Sequence, residues 1–129
     1  MKGDGILDKN FVSGEIADAA LRVHRALGPG LLESAYEACL VHELLRKDLP
    51  VRSQVELPIH YGDVKLDIGY RIDLLVSNTI IVELKTVEKI LPIHEAQILS
   101  YMKLSGSNLG LLLNFNSIRL REGIRRFII

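Results

Sequence analysis

Three charged residues lie inside two apolar stretches of this sequence, where burial would penalise charge most. Asp73 lies in the run from Ile72 to Val76, and Glu83 and Lys85 lie in the run from Ile80 to Thr86. Carboxylates held close together in an apolar setting repel each other, and a divalent cation or a neighbouring ammonium offsets that repulsion. The chemistry of this segment therefore depends on whether folding brings the three side chains together.

The apolar periodicity of the two runs predicts the register of a β-hairpin. Apolar positions are even-numbered in both runs, and directly opposed residues of an antiparallel pair share a face. Matching even with even requires an odd loop, most simply 77–79, so that Leu74 faces Val82 and Asp73 faces Glu83. A two-residue loop would place Asp73 opposite Val82 and mix the two faces. Carboxylates at opposed Cβ atoms ~5 Å apart repel by roughly 3 kcal/mol at an effective dielectric near 20.

A surface ion pair is the competing interpretation of the same spacing. Glu83 and Lys85, two residues apart on one strand, could pair in solvent while Asp73 is solvated at a strand end. The apolar residues Leu75 and Ile81 flank the acids on their own face. This context favours a face that is at least partly covered, where an ion pair alone is a poor explanation.

Two helices are predicted ahead of these strands. Helical spacing of apolar residues begins after Ser13, a candidate N-cap, and Gly28-Pro29-Gly30 then ends that helix. A second helix is predicted from about Leu32 to Lys47. We expect residues 1–12 to form a flexible N-terminal segment and residues 13–129 to form a single domain.

The rest of the chain predicts an α/β fold with a mixed sheet. Pro92 opens a third helix that continues through His94 to Leu104 before Gly106. The order of elements is helix, helix, three strands, helix, strand, strand, so the strands first meander and then cross over. Strands are predicted over residues 55–61, 66–76, 80–87, 109–115 and 123–129.

Two motifs in this order resemble the PD-(D/E)xK nuclease superfamily. Asp73 followed by Glu83-Leu84-Lys85 resembles its signature of an acid, a spacer and D/E-x-K on adjacent strands, with Ile72 in the place of proline. In HEAQILSYMKL, Gln97 and Tyr101 lie four residues apart and point the same way on a helix. They are similar to the Q-x-x-x-Y element that follows E-x-K in the nuclease domains of bacterial recombination helicases.

A third motif narrows the resemblance. The segment from Gly30 to Tyr36, within GPGLLESAYE, matches G-x-x-E-x-x-Y, the pattern after which the small GxxExxY proteins are named. That family is placed within the PD-(D/E)xK fold. The resemblance runs from about Ile16 to the C-terminus and implies a restriction-endonuclease-like core, with a mixed central sheet flanked by helices.

The resemblance implies metal-dependent hydrolysis of phosphodiester bonds. Mg²⁺ or Mn²⁺ would be held by the carboxylates of Asp73 and Glu83 and by the backbone carbonyl of Leu84. Glu33 resembles the helical acid that completes such a site, although a glutamate in the first turn of a helix is also favoured by the helix dipole. An ammonium beside two acids suits Lys85 for orienting the attacking water and stabilising charge in the transition state.

The helix after the strands carries further candidates. Gln97 could hydrogen-bond a water or a substrate phosphate, and Tyr101 could stack on a base or donate to the backbone of the substrate. The alternative is an amphipathic helix whose polar residues only face water. Tyr36 is expected to pack between helix and sheet, and His94 to be exposed near the start of its helix.

Composition sets broad limits on function. The 129 residues carry 16 basic and 16 acidic side chains, which argues against a protein that coats nucleic acid through bulk electrostatics. No apolar run reaches the ~20 residues that span a bilayer, and the single cysteine, Cys39, cannot form an internal disulfide. We expect a cytoplasmic protein without a membrane partner.

Three functions remain open at this level. The first is a Mg²⁺-dependent nuclease, with DNA as the expected substrate. The second is a non-catalytic nucleic-acid-binding or regulatory module that retains the nuclease fold. The third is a structural role in which the acids and Lys85 form a buried ion network. A chain of this size offers little surface for gripping a duplex, so a homodimer or a larger protein partner could supply further contacts.

Overall fold

A five-stranded sheet with helices on both faces forms the core. The structure, a computed structural model, describes residues 8–129. The helices are α1 (Lys9–Leu27), α2 (Glu33–Arg46) and α3 (Pro92–Ser105), with a short 3₁₀ helix at Leu120–Gly123. None of the helices between residues 8 and 129 combines the length and apolar character that a membrane span needs. The strands are β1 (Val51–Glu56), β2 (Ile59–Tyr61), β3 (Val64–Leu66), β4 (Arg71–Val76), β5 (Ile80–Lys85), β6 (Leu109–Asn114) and β7 (Ile124–Ile128).

The central sheet is mixed, as the sequence predicts. Its strands lie in the order β1, β4, β5, β6, β7, and among these neighbours β5 and β6 are parallel while the other pairs are antiparallel. Parallel neighbours need a crossover connection, which here contains α3. The strands β2 and β3 form a separate two-stranded hairpin.

Two apolar clusters fix the helices on the sheet. One cluster includes Ile16 of α1, Leu40 of α2 and Val82 of β5. The other includes Ile81 of β5 and Met102 of α3. Because adjacent residues of β5 point to opposite faces, α1 and α2 cover one face and α3 covers the other. The predicted α/β architecture of a mixed sheet flanked by helices is confirmed.

The first helix begins earlier than the sequence predicts. Asp8, not Ser13, is its N-cap, since the Asp8 carboxylate accepts a hydrogen bond from the N–H of Asn10 at 3.0 Å. Val12 is 1% exposed and extends the apolar stripe by one turn, which explains the earlier start. Residues 9–12 are therefore helical and not part of a flexible segment. Residues 1–7 of that predicted segment lie outside the described residues.

The register of the central hairpin is confirmed. Val76 pairs with Ile80, Leu75 with Ile81 and Leu74 with Val82, across the predicted three-residue loop 77–79. Ser77 and Asn78 both have positive φ, +54° and +59°, as a tight connection between twisted strands requires. Apolar matching across the pair is therefore sufficient to fix this part of the sheet.

Two strands predicted as continuous are interrupted. The strand predicted over 55–61 breaks at Leu57-Pro58, because proline has no N–H to donate to a ladder, and the chain forms β1 and β2 instead. The strand predicted over 66–76 breaks near Gly69, whose φ of +94° turns the backbone. The strand predicted over 80–87 ends at Lys85. These breaks separate the β2–β3 hairpin from the central sheet.

Candidate active site

Asp73 lies where backbone pairing is interrupted on both sides. Toward β5, the paired positions end at Leu74 and Val82. Toward β1, Ser53 pairs with Leu74 and Val55 pairs with Ile72. Gln54 and Asp73, which lie between these pairs, are not paired with each other. Ile72 and Leu74 accordingly belong to different apolar clusters, whereas a regular strand would place both on one face. The sheet opens at this point and leaves backbone groups that need other partners.

The two carboxylates supply those partners. The N–H of Asp73 donates to Glu83 Oε2 at 2.8 Å. The N–H of Leu84 donates to Asp73 Oδ2 at 2.9 Å. Each acid therefore binds the backbone of the strand that carries the other, and the structure brings Asp73 and Glu83 together as the hairpin register predicts.

Burial makes this pair of acids electrostatically costly. Glu83 is 4% exposed, and burial together with the negative charge of Asp73 raises its pKa to about 8. Burial also raises the pKa of Asp73, while the Leu84 N–H and the charge of Lys85 act in the opposite direction. Ionising both acids would place more negative charge here than the Lys85 ammonium offsets, so the protonated form of Glu83 is favoured at neutral pH.

Helix α2 adds two further acids. Glu33 and Glu37 lie four residues apart and share a helix face. Burial, followed by the charge of Asp73, raises the pKa of both carboxyl groups. The predicted Glu33 is thus close enough to Asp73 and Lys85 to interact with their charges.

Gln54 and Glu37 are site residues that the sequence analysis missed. Gln54 lies opposite Asp73 with a left-handed φ of +53°, and its Nε2 donates to Glu37 Oε1 at 2.9 Å. Its side chain also acts to lower the pKa of Asp73 and so favours the ionised carboxylate there. The predicted strand began at Val55, one residue too late to include Gln54. Glu37 could have been found because it follows Glu33 by one helical turn.

A hydrogen-bonded chain links Lys85 to α3. Lys85 Nζ donates to Gln97 Oε1 at 3.0 Å, and Gln97 Nε2 donates to Tyr101 Oη at 3.2 Å. Burial and the nearby charge of Glu83 raise the pKa of the Tyr101 hydroxyl. The two helical residues of the Q-x-x-x-Y element therefore point the same way and meet the lysine of the E-x-K element.

The start of α2 is held by the tyrosine of the G-x-x-E-x-x-Y segment. The Tyr36 hydroxyl donates to the carbonyl of Gly28 and accepts from the N–H of Leu31 at 3.1 Å. Its ring is fully buried and stacks on Phe115, with ring centroids 4.6 Å apart. Tyr36 packs between helix and sheet as predicted, and it fixes the turn immediately before Glu33.

Two more side chains fix the ends of elements near the site. Asn114 is buried, accepts from the N–H of Val87 at 3.1 Å and donates to the Val87 carbonyl at 2.9 Å. These two hydrogen bonds take the place of backbone pairing just after β5 ends at Lys85. The N–H of Leu91 donates to Nδ1 of His94 at 2.9 Å, so His94 caps the start of α3.

Metal binding at this site stays a prediction. Within residues 8–129, no three His, Cys, Asp or Glu side chains form a preformed cluster for a metal ion. The Leu84 group that takes part in the site hydrogen bonds is its N–H, and the predicted ligand is its carbonyl oxygen. Asp73, Glu83 and Glu33 interact through their charges at the same place.

Comparison with known families decides the broad assignment. The family model described as the PD-(D/E)XK nuclease superfamily matches residues 10–127. The chain belongs to the PD-(D/E)XK nuclease superfamily. No curated protein and no solved structure matches the chain. The superfamily and the restriction-endonuclease-like fold are therefore confirmed, whereas the GxxExxY assignment stays a prediction. PD-(D/E)XK nucleases typically use divalent metals and act on nucleic acid, which sets the class of chemistry.

Proposed function

We propose that the protein hydrolyses phosphodiester bonds of DNA in a metal-dependent reaction at the site formed by Asp73, Glu83 and Lys85. The proposal rests on one observation: the two acids bind each other's strands where the sheet opens, next to a lysine held by Gln97. Phosphodiester hydrolysis needs a positioned water and positive charge for the transition state. In the proposed site the acids would hold the metal that positions the water, and Lys85 would supply the positive charge.

The donor set at this site fits Mg²⁺ or Mn²⁺. Carboxylate and carbonyl oxygens are the ligands these ions prefer, and Mg²⁺ keeps several waters, so Asp73 and Glu83 with the Leu84 carbonyl are sufficient. Burial, followed by the negative charge of Asp73, raises the pKa of Glu83 to about 8, and a divalent cation would counter both by favouring the ionised carboxylate. Glu33 would act at the edge of the same site. When bound, such an ion supplies Lewis-acid polarisation of the phosphate and activation of water.

The other residues of the site orient the reactants. Lys85 positions the attacking water and stabilises charge on the phosphate, and Gln97 holds its ammonium in place. Tyr101 Oη accepts from Gln97, so its own O–H can donate to a phosphate oxygen. Gln54 holds the Glu37 carboxylate in position through its amide.

A cleavage assay tests this function. Linear and circular DNA are incubated with the pure protein and Mn²⁺, before and after addition of EDTA. We expect cutting that EDTA stops, and a loss of about 10²-fold or more in Glu83→Gln and in Lys85→Ala without loss of the fold. Loss of linear DNA alone would indicate an end-dependent exonuclease.

The matched control is Glu88→Gln, the same chemical change at an exposed position just beyond β5. It should cut like the wild type. Equal cutting by Glu83→Gln and Glu88→Gln would rule out the proposed site.

A non-catalytic nucleic-acid-binding or regulatory module is the second candidate. It is favoured by the hydrogen bonds that Asp73 and Glu83 make to backbone N–H groups, because these satisfy part of the site without any added ion. Such a module would gain thermal stability from Mn²⁺ and release no nucleotides. The cleavage assay and a melting curve with Mn²⁺ therefore separate the two candidates.

A further inference from the structure

A groove lies directly beside the proposed site and shares residues with it. It has a volume of about 710 Å³, and its lining includes Lys85, Gln97 and Tyr101 together with Tyr70 and Ile59. Pockets of this size accommodate small organic groups such as nucleotides. We call it the α3 groove, because one face of α3 forms its longer wall.

The α3 wall follows from helical spacing. Ile93, Gln97, Tyr101 and Leu104 recur at intervals of three or four residues and line the groove. Ile93 is 69% exposed and Leu104 is 38% exposed, although both are large and apolar. The opposite face of α3 carries Met102, which is buried against the sheet. The groove side of α3 thus presents exposed apolar side chains beside the polar Gln97 and Lys103.

Aromatic and apolar side chains form the facing wall. Tyr70 precedes β4, and its ring centroid lies 6.0 Å from that of Tyr101 with the rings tilted by 56°. Tyr70 is 42% exposed and lines the groove, so part of its side chain is accessible to a ligand. Ile59, from the β2–β3 hairpin, extends this wall. Flat apolar surfaces of this kind suit the stacking of a planar aromatic ligand.

The charged side chains that line the groove favour an anionic ligand. The cationic or basic side chains of the groove lining are Lys85, Lys103 and His94, and no acidic residue within the described part of the chain lines it. The acids Asp73 and Glu83 lie at the Lys85 end of the groove, close enough for the Lys85 charge to act on both. A ligand with a phosphate at the acid end and a flat apolar group in the groove would match this pattern.

From this continuity of site and groove we infer that the α3 groove binds the nucleobase of an unpaired nucleotide next to the phosphate that is cut, with Tyr70 as its stacking surface. The inference rests on the proposed function and adds its substrate class, a single-stranded segment of nucleic acid. In a duplex the base faces are covered by neighbouring base pairs, so only an unpaired base can use an apolar groove of this kind. Tyr70 is a binding residue here, distinct from the acids and Lys85.

Binding measurements test this inference. The probes are a fluorescein-labelled oligothymidylate of about 12 nucleotides, an abasic strand of the same length, and the matching duplex, each in Ca²⁺ in place of Mn²⁺. We expect the oligothymidylate to bind about tenfold more tightly than the abasic strand or the duplex. Tyr70→Ala should remove that preference, and Tyr70→Phe should keep it. The matched control is Tyr61→Ala, an exposed hairpin tyrosine outside the groove, which should bind like the wild type.

Equal binding of the oligothymidylate and the abasic strand would overturn the inference, as would identical behaviour of Tyr70→Ala and Tyr61→Ala. The groove would instead be a contact between two copies of the chain if Tyr70→Ala changed the sedimentation of the protein from dimer to monomer and left oligonucleotide affinity unchanged. Cutting of DNA without preference for the unpaired base would remove the groove assignment and leave the proposed nuclease. Preference for the base without cutting would support the groove and remove the nuclease.

Discussion

Glu83 is the residue whose burial is hardest to explain by stability alone. It is 4% exposed, and its hydrogen-bonded neighbour Asp73 is a second acid. A buried ionised carboxylate normally takes a cation as its partner, but the Lys85 ammonium hydrogen-bonds Gln97. At residue scale, the site is a close pair of acids in which burial favours the protonated form of Glu83.

The stability of the metal-free protein should depend on pH through Glu83. Its pKa rises from an ordinary value of 4.5 to about 8 on folding, so the folded state binds this proton more tightly than the unfolded chain does. The contribution of Glu83 to the free energy of unfolding is therefore fully present below about pH 4.5 and falls as pH rises to about 8, by at most about 1.4 kcal/mol per pH unit. Glu83→Gln removes this titration and should lose less stability over the same range.

Urea unfolding of metal-free protein at several pH values between about 5 and 8 measures this difference. Glu88→Gln, which keeps Glu83, should follow the wild type. Parallel pH profiles for the wild type and Glu83→Gln would show that Glu83 does not titrate with a raised pKa.

At the scale of elements, the site depends on an irregular point shared by three strands. Asp73 in β4 is unpaired with β5 and with β1, and Gln54 of β1 adopts a left-handed conformation opposite it. A non-glycine residue in that conformation costs roughly 1–2 kcal/mol. The Gln54 amide offsets part of this cost by its hydrogen bond to Glu37. Strain at a residue that binds the Glu37 carboxylate and lies opposite Asp73 is consistent with a functional constraint.

Substitutions of Gln54 should separate stability from activity. Both Gln54→Ala and Gln54→Gly lose the side-chain hydrogen bond to Glu37. Alanine keeps the unfavourable φ of +53°, whereas glycine adopts this φ without steric strain. We expect Gln54→Gly to be more stable than Gln54→Ala by about 1 kcal/mol, the reverse of the usual order in a strand. Both should cut DNA several-fold more slowly than the wild type. Chemical unfolding and single-turnover cleavage measure the two effects, and a more stable alanine variant would contradict the strained conformation.

Much of this element-scale arrangement follows from the sequence. The parity of apolar residues predicted the β4–β5 register, because a shift by one residue would expose Leu74 and Val82. The role of Gln54 could not be predicted, since its conformation results from the interrupted ladder and leaves no local signal. Asp8 and Ser13 are both good N-cap residues, and only the packing of Val12 decides between them.

Within the described part of the molecule, the charges balance in some places and leave other places basic. On the α1–α2 face, Glu43 lies between Arg22 and Arg46, and Lys47 bonds Glu15 at 3.0 Å. These three cations have acidic partners, whereas Arg25 and Arg121 line the same pocket and add positive charge to it. The α3 groove, lined by basic but not acidic side chains among the described residues, is the better candidate for holding a nucleic-acid backbone.

Binding of a single strand should therefore depend weakly on salt. Lys85 and Lys103 are the lysines of the groove, and each phosphate neutralised on a single strand contributes a slope of about −0.7 to the plot of log affinity against log salt. We expect a total slope of about −1 to −2 for the oligothymidylate in Ca²⁺, measured by fluorescence anisotropy at increasing KCl. A slope steeper than about −4 would show that a larger basic surface carries the binding.

Titration of Mn²⁺ into the metal-free protein, followed by calorimetry at constant pH, tests most directly whether Asp73 and Glu83 hold a divalent cation. The wild type and Glu88→Gln should bind Mn²⁺ with the same affinity, and Asp73→Asn and Glu83→Gln should each bind at least about tenfold more weakly, because each loses an anionic ligand. The absence of binding by the wild type, or equal affinities across all four proteins, would contradict a metal-dependent site at these two acids.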